Sequence, residues 1–223
     1  MPGRRSDSEA QSTREAILRR SVDIASVEGL EGLTIGRLAA DLGMSKAGVI
    51  GHFGSKEELQ LAALELAAGI FRAEVWDPAA DLEPGLPRLL GILDAWTGYA
   101  DRPSFPGGCF IAAASFEWDG REGRMHDAVA AFTGRWRKVL IAEIERAVDK
   151  GELPADTDPA QAAFGLEALA SGMNPARHEF FAGTALATDE HGDVGVGHAF
   201  DQLAHFLHRI ARAEQLTVQM IRG

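Results

Sequence analysis

The chain has one cysteine, one tyrosine and no long apolar run. A single cysteine excludes an intramolecular disulfide, and no stretch reaches the roughly 20 apolar residues that a transmembrane helix needs. Alternation of apolar and polar residues, the pattern of a half-buried strand, is also missing. Near the N-terminus, Arg4 and Arg5 are followed by polar residues rather than by the apolar core of a secretory signal. These absences predict an all-α, cytoplasmic protein without membrane contact.

Signatures of catalysis and metal binding are equally scarce. The sequence has no Gly-rich phosphate loop, no serine nucleophile elbow and no His-Glu-x-x-His pair. The spacing of His205 and His208 would allow both to bind one metal, but the neighbouring Asp and Arg residues favour a hydrated polar face. Cys109 is interpreted as a small buried side chain rather than a redox sensor. We predict no catalytic residues, no metal and no cofactor, and therefore no enzyme.

Charge is distributed unevenly along the 223 residues, whose formal net charge is −11 at pH 7. Residues 1–56 contain eight Lys or Arg and seven Asp or Glu, so the acidic excess belongs to the rest of the chain. An acidic body repels nucleic acid and leaves only the N-terminal face to approach it. This bias favours oriented docking on DNA over indiscriminate coating.

Residues 33–59 have the spacing of a helix-turn-helix. Thr34 is placed to cap a first short helix that ends at Gly43, and Ser45 is placed to cap a second. In this motif the start of the second helix meets base edges in the major groove. The candidate DNA contacts are Thr34, Ser45, Lys46, Ala47, Gly48, Ile50, His52 and Lys56.

Two capping boxes, Ser-x-x-Glu, flank this motif. The box at Ser12 predicts a helix that ends at Gly29, preceded by a flexible arm over residues 1–12. The box at Ser55 begins a fourth helix, which is expected over 55–76 as the connector between the two domains. The free N–H groups at its start, together with Lys56, form a candidate phosphate-binding site. From spacing alone, a helical subdomain over 13–59 without a nucleic-acid partner remains an equal alternative.

The remainder, residues 77–223, reads as further helices at 84–101, 107–117, 122–150, 158–182 and 195–213. Aromatic and sulfur-containing side chains crowd the middle helices and predict either a core or a ligand pocket. Polar anchors for such a ligand would be Glu117, Asp119 and His126. The candidate ligand-binding residues are Trp96, Tyr99, Phe105, Cys109, Phe110, Phe116, Trp118, Met125, Phe132, Trp136, Phe164 and Met173.

The last two predicted helices carry apolar stripes at helical spacing. One monomer could bury both stripes, or they could pack against the same pair from a second subunit. The candidate dimer-interface residues are Phe164, Leu169, Met173, Phe200, Leu203, Leu207 and Ile210.

Several of these signals occur in a fixed register from Thr13 to Leu59: Thr13-Arg14-Glu15, Ile17-Leu18, Gly29, Thr34-Ile35, Leu38-Ala39, Gly43-Met44-Ser45-Lys46, His52-Phe53 and Ser55-Lys56-Glu57-Glu58-Leu59. With these residues the run resembles the N-terminal domain of the TetR family of transcriptional regulators. Two positions depart from the family pattern: Ile50 stands where a phosphate-contacting Tyr is usual, and Ala25 where the first helix usually has an aromatic.

The resemblance implies a homodimer whose C-terminal helical bundle binds a small-molecule effector. It also implies a repressor that binds a palindromic double-stranded operator and is released when an apolar or amphipathic effector binds. The recognition helices of the two subunits would then lie near successive major grooves, about 34 Å apart or somewhat more. The competing interpretations are a helical small-molecule-binding protein and an unrecognised helical enzyme, neither of which would bind DNA.

Overall fold

A computed structural model describes residues 7–101 and 104–172. Over this part of the chain the regular structure is helical, and no β-strand occurs in it. Its α-helices are α1 (Asp7–Gly32), α2 (Ile35–Asp41), α3 (Lys46–Phe53), α4 (Lys56–Phe71), α5 (Leu86–Asp101), α6 (Phe110–Trp118), α7 (Arg124–Asp149) and α8 (Pro159–Gly172).

The described residues form two compact units. The first unit comprises residues 7–70 and 104–132, and the second unit comprises 71–101 and 133–172. Helix α6 therefore belongs to the same unit as the helix-turn-helix. The domain division expected from the sequence, with a boundary after the fourth helix, stays a prediction.

Helix α1 begins at Asp7, so the predicted start at Ser12 is wrong. The Thr13 hydroxyl donates to the carbonyl of Glu9 at 2.8 Å, which shows that the helical path is already established before the capping box. At least residues 7–12 of the expected flexible arm are thus helical. The predicted stop at Gly29 is confirmed as a break, because Gly29 has φ 77° and ψ 169°, although a short helical segment continues to Gly32.

The core of the first unit around the helix-turn-helix brings together residues from α1, α2, α3 and α4. Ile17, Leu38, Val49 and Leu59 are completely buried in it. Each of these four residues comes from a different helix, so the core joins the apolar faces of all four helices. Phe53, half-buried, packs against the same cluster and has the Arg14 guanidinium 4.4 Å from its ring centroid.

After α4 the chain continues in a π-helical turn, Arg72–Trp76, and a 3-10 turn, Asp77–Ala79. The fourth α-helix ends at Phe71, and the π-helical turn continues the helical path to Trp76, the end expected from the sequence. The predicted helices at 84–101, 107–117 and 122–150 match α5, α6 and α7. Helix α8 begins as predicted, with Asp158 Oδ1 accepting from the amides of Ala160 and Gln161 at 2.9 and 3.1 Å.

The second unit holds a buried carboxylate, Glu143 of α7, whose side chain is 2% exposed. It accepts from the amide of Gly85 at 2.9 Å, from Arg88 at 3.3 Å and from Arg146 at 2.6 Å. The amide of Leu86 donates to Glu152 at 2.7 Å. Two carboxylates therefore hold the start of α5, where backbone N–H groups lack partners within the helix.

Candidate nucleic-acid interface and effector site

The three hydroxyl caps predicted around the helix-turn-helix are formed. Thr34 Oγ1 accepts from the amide of Arg37 at 3.3 Å, and Ser45 Oγ accepts from the amide of Gly48 at 3.0 Å. Ser55 Oγ accepts from the amide of Glu58 at 3.1 Å at the start of α4. These bonds satisfy N–H groups that the helices leave free and fix where each helix begins.

Helix α3 has one buried and one exposed side. Val49 is fully buried, whereas Lys46, Ala47 and Gly51 are exposed. Ile50, 40% exposed, is the large apolar side chain on this outward side. Because Ala47 and Gly51 carry at most a methyl group, the α3 backbone can approach base edges closely at these two positions.

Two further predicted contacts lie beside this surface. The Lys46 side chain runs along α2 at Gly36, where an added Cβ would be 3.3 Å from Lys46 Cε. This path takes the ammonium toward the preceding helix, a position better suited to a phosphate than to a base edge. The His52 ring is half-buried, with its centroid 6.5 Å from that of Phe53.

Lys56, predicted to contact phosphate, is engaged within its own unit. Its ammonium donates to the carbonyl oxygen of Glu31 at 3.1 Å and lies 3.7 Å from the Glu31 carboxylate. Its side chain remains 39% exposed, so a phosphate would compete with Glu31 for the same ammonium. Contact of Lys56 with DNA stays a prediction, and it requires a phosphate to compete with Glu31 for the Lys56 ammonium.

Other basic side chains near the motif are paired with carboxylates. Arg20 of α1 donates two bonds to Asp41 of α2, at 2.8 and 2.6 Å. Arg37 of α2 bonds Glu28 of α1. These ion pairs between helices orient α2 against α1. The sequence alone predicts no role for either arginine.

The short segment between the Gly29 break and α2 donates hydrogen bonds to, and accepts them from, side chains of two other helices of the first unit. From α4, the Gln60 amide donates to the carbonyl of Leu30 at 2.6 Å. From α6, the two oxygens of Glu117 accept from the amides of Leu30 and Glu31, each at 2.7 Å. Glu117 was a candidate ligand anchor from the sequence, but in this structure both its oxygens serve the backbone.

The chain preceding α6 and the start of α7 make additional contacts within the same unit. The amide of Gly107 donates to Ser26 Oγ at 3.1 Å. Arg124 donates to Glu57 at 3.0 Å and to Glu58 at 2.7 Å, and its bond to Glu58 raises the pKa of its guanidinium. Neither contact was predicted from the sequence, because both join residues more than 60 positions apart.

The candidate ligand-binding residues divide between the two units. In the first unit, Phe105, Phe110 and Met125 are buried and Phe116 is 48% exposed. Cys109 caps α6, its sulfur accepting from the amide of Ala112 at 3.5 Å. Trp118 and Phe132 of the first unit are half-buried; the members in the second unit are Trp96, Tyr99, Trp136 and Phe164, and Met173 lies outside the described residues.

An aromatic cluster in the second unit brings together Phe71, Trp96, Tyr99 and Trp136. The ring of Phe71 meets those of Trp96, Tyr99 and Trp136 edge to face, with centroids 5.8, 5.5 and 5.0 Å apart. Phe71 was missed from the sequence, although it continues the apolar face of the fourth helix. The indole Nε1 of Trp136 is buried and finds no hydrogen-bond acceptor within residues 7–101 and 104–172.

Two candidate dimer-interface residues are described. Phe164 on α8 is 57% exposed, unusual for a phenylalanine, and Leu169 is half-buried. Met173, Phe200, Leu203, Leu207 and Ile210 lie outside the described residues, as do His205 and His208. Within the described ranges no group of His, Cys, Asp and Glu side chains is arranged to hold a metal, and no helix is long and apolar enough to cross a membrane.

The two short helices α2 and α3, capped by Thr34 and Ser45 and joined by a tight turn, have the geometry of a helix-turn-helix. Residues 17–63 match the family model described as bacterial regulatory proteins, tetR family, and residues 85–181 match the tetracyclin repressor-like C-terminal domain. Together the two models span more than half of the chain. The chain belongs to the TetR family, and it is a ligand-responsive DNA-binding transcriptional regulator.

Solved structures support the same assignment. A TetR transcriptional regulator from Chloroflexus aurantiacus is 27% identical, with a TM-score of 0.76 over 90% of this chain and 96% of that chain. A TetR-family regulator from Cytophaga hutchinsonii is 22% identical, with a TM-score of 0.72 over 92% and 98%. AibR, solved with isovaleryl coenzyme A and operator DNA, is 18% identical, with a TM-score of 0.68 over 86% and 96%.

The last two structures show the shared fold alone. No curated protein matches the chain at the sequence level. Members of the family are generally DNA-binding proteins rather than enzymes.

Proposed function

We propose that the protein is a homodimeric repressor that binds a palindromic operator and is released by a small apolar or amphipathic effector. The observation that carries the DNA-binding part is the outward side of α3, with Lys46, Ala47 and Ile50 exposed beside the buried Val49. A second subunit would place the same surface in a successive major groove about 34 Å away. Dimerisation supplies the DNA affinity that a single helix-turn-helix unit lacks.

The DNA contacts divide into two roles. Ile50 and Ala47 present apolar groups to base edges, for which the thymine methyl is the matching group in the major groove. Ser45, Gly48 and Thr34 lie at the starts of α3 and α2, whose positive dipole ends favour phosphate even though Ser45 and Thr34 each cap one amide. Lys46, His52 and Lys56 supply polar or cationic side chains near the backbone of the duplex.

For the effector we propose a site in the second unit beside the aromatic cluster. Trp136 supports this assignment because its buried indole N–H has no acceptor among residues 7–101 and 104–172 and calls for a partner. An effector that combines apolar surface with a hydrogen-bond acceptor would satisfy it. The aliphatic and aromatic side chains around Trp96 would take the apolar portion.

Coupling between effector and operator would be carried by the fourth helical segment, which runs from α4 through Trp76. Because coupling between two sites is reciprocal, operator DNA should weaken effector binding by the same factor as effector weakens operator binding. Coupling free energies between two sites in allosteric proteins are on the order of 1–3 kcal/mol. Dimerisation through the exposed Phe164 and the candidate residues after α8 would hold both subunits in one state. We place the protein in the cytoplasm, where its operator is accessible.

The alternatives are a helical small-molecule carrier and an unrecognised enzyme. A mobility-shift assay on the DNA upstream of the protein's own gene tests operator binding, and a retarded band that survives competitor DNA is the expected result. Absence of any retarded band at low salt would favour the carrier. Turnover of a bound compound would favour the enzyme.

A variant pair tests the proposed phosphate contact. Lys56→Ala should weaken binding to every duplex and flatten the slope of log K against log salt by about 1 per lost contact in each half-site. Lys138→Ala, an exposed lysine of the second unit, is the matched control for the loss of one charge. Equal slopes for the two variants would assign the Lys56 ammonium to Glu31 alone.

A further inference from the structure

The position of α2 depends on the short segment 30–34, which follows the break in α1 and leads into α2. The helical path of α1 breaks at Gly29, whose φ of 77° no ordinary side chain adopts easily. Leu30 and Leu33 are buried, and Thr34 then caps α2. Any shift of this segment moves the start of α2 and, through the short turn at Gly43, the start of α3.

The carbonyls and the amides of Leu30 and Glu31 are each bound by a side chain from another helix. Gln60 and Lys56, both on α4, donate to the carbonyls of Leu30 and Glu31 at 2.6 and 3.1 Å. Glu117 on α6 receives both amides, one on each oxygen, at 2.7 Å. The α4 contacts lie within the helix-turn-helix region, whereas Glu117 comes from a helix more than 80 residues further along the chain.

The fit around Glu117 is close. A Cβ on Gly29 would lie 2.7 Å from Glu117 Oε2, so the break and the carboxylate require the absence of a side chain there. Two short charge-assisted bonds in parallel fix direction as well as distance. Next to them, Arg121 reaches the Glu31 carboxylate at 3.2 Å.

We propose that Glu117 is a positioning residue for DNA recognition. By holding the amides of Leu30 and Glu31, the end of α6 sets where α2 begins and thus how α3 is presented to the major groove. Helix α6 is then part of the DNA-recognition unit, although it lies outside the residues that form the helix-turn-helix. This inference rests on the DNA-binding function and adds to it a residue that does not contact DNA.

The test compares Glu117→Gln with Glu122→Gln in the full-length protein. Both replace one glutamate carboxylate by an amide, and Glu122 is exposed just beyond the end of α6. The probes are an operator selected from a random duplex library with the wild-type protein, and poly(dI-dC) as non-specific DNA. Positioning errors reduce base-specific contacts, whereas non-specific affinity depends on phosphate charge and is insensitive to them.

For Glu117→Gln we expect operator affinity to fall about tenfold, the size of losing one base-reading contact, with poly(dI-dC) affinity changed less than about twofold. Glu122→Gln should leave both affinities unchanged. Equal losses on the two DNAs, or no loss on the operator, would overturn the positioning role. A wild-type protein that enriches no duplex from the random library would instead overturn the DNA-binding function.

Amide hydrogen exchange in the wild-type protein provides a measurement that needs no variant. The amides of Leu30 and Glu31 should exchange at least about 100-fold more slowly than unstructured peptide, since each donates to a carboxylate oxygen. Exchange at the unprotected rate would overturn the proposal even if Glu117→Gln fails to fold.

Discussion

Gly107 approaches the backbone of Ser26 more closely than any residue with a side chain could. Its amide donates to Ser26 Oγ at 3.1 Å, and an added Cβ would lie 2.0 Å from the Ser26 carbonyl oxygen. Gly107→Ala should therefore cost about 1–3 kcal/mol of unfolding free energy, the range for overpacking a tight contact. Chemical denaturation monitored by circular dichroism measures the loss.

Gly120→Ala is the control for this prediction. Nothing lies within 4 Å of a Cβ added at Gly120, and its φ is outside the left-handed region. The control should change the unfolding free energy by less than about 0.5 kcal/mol. Similar values for the two alanine variants would show that the chain before α6 does not pack on α1 as described.

Glu143 is the polar centre of the second unit. Glu143→Ala should reduce the unfolding free energy by about 3–5 kcal/mol, because Arg88 and the amide of Gly85 lose a buried anionic partner. The exposed Glu145 on the same helix makes the comparison, and Glu145→Ala should be nearly neutral. A small effect at Glu143, equal to that at Glu145, would contradict the buried network.

Glu83 and Lys150 give a prediction about pH. The Lys150 ammonium donates to Glu83 at 2.7 Å, and this bond lowers the pKa of the Glu83 carboxyl. A depressed folded-state pKa adds stability above the ordinary carboxyl pKa, and that stability disappears as pH falls through the lowered value. Lys150→Met should raise the Glu83 pKa toward its ordinary value, as measured by carbon NMR of the side chain. An unchanged titration midpoint would exclude the pair in solution.

Local signals in the sequence were sufficient for most helices. Asp158 and Pro159 predicted the start of α8, and Ser45 predicted the start of α3, because a cap acts on amides two or three positions away. The failure at Ser12 has the same origin: a capping box permits a helix start there, but it cannot prevent the helix from starting at Asp7. The boundaries of α5, α6 and α7 came within a few residues for similar reasons.

Contacts between distant residues were not predictable in this way. Glu117 could be recognised as a polar side chain among apolar ones, and a ligand was the natural partner to expect. Its real partners are the amides of Leu30 and Glu31, which became available only because α1 breaks at Gly29. Likewise, the spacing of the aromatics did not show that Phe105 and Trp96 belong to different units.

Ile50 provides a prediction about base recognition. If its side chain contacts a thymine methyl, replacing that thymine by deoxyuridine in the selected operator should weaken wild-type binding by about 0.8 kcal/mol, the value of one buried CH₂. Ile50→Ala should bind the two operators equally. Val27→Ala, which shortens an exposed apolar side chain on α1, should retain the wild-type preference. Equal wild-type affinity for thymine and deoxyuridine at every position would remove Ile50 from the base contacts.

The central claim is that two copies of the α3 surface read one palindrome together. Fluorescence-anisotropy titration of a labelled selected operator against purified protein at 150 mM salt, compared with a version whose second half-site is scrambled, tests it directly. We predict saturation at two protomers per intact operator and an affinity at least about 100-fold higher than for the scrambled duplex. Saturation at one protomer with equal affinity for both duplexes would contradict the account.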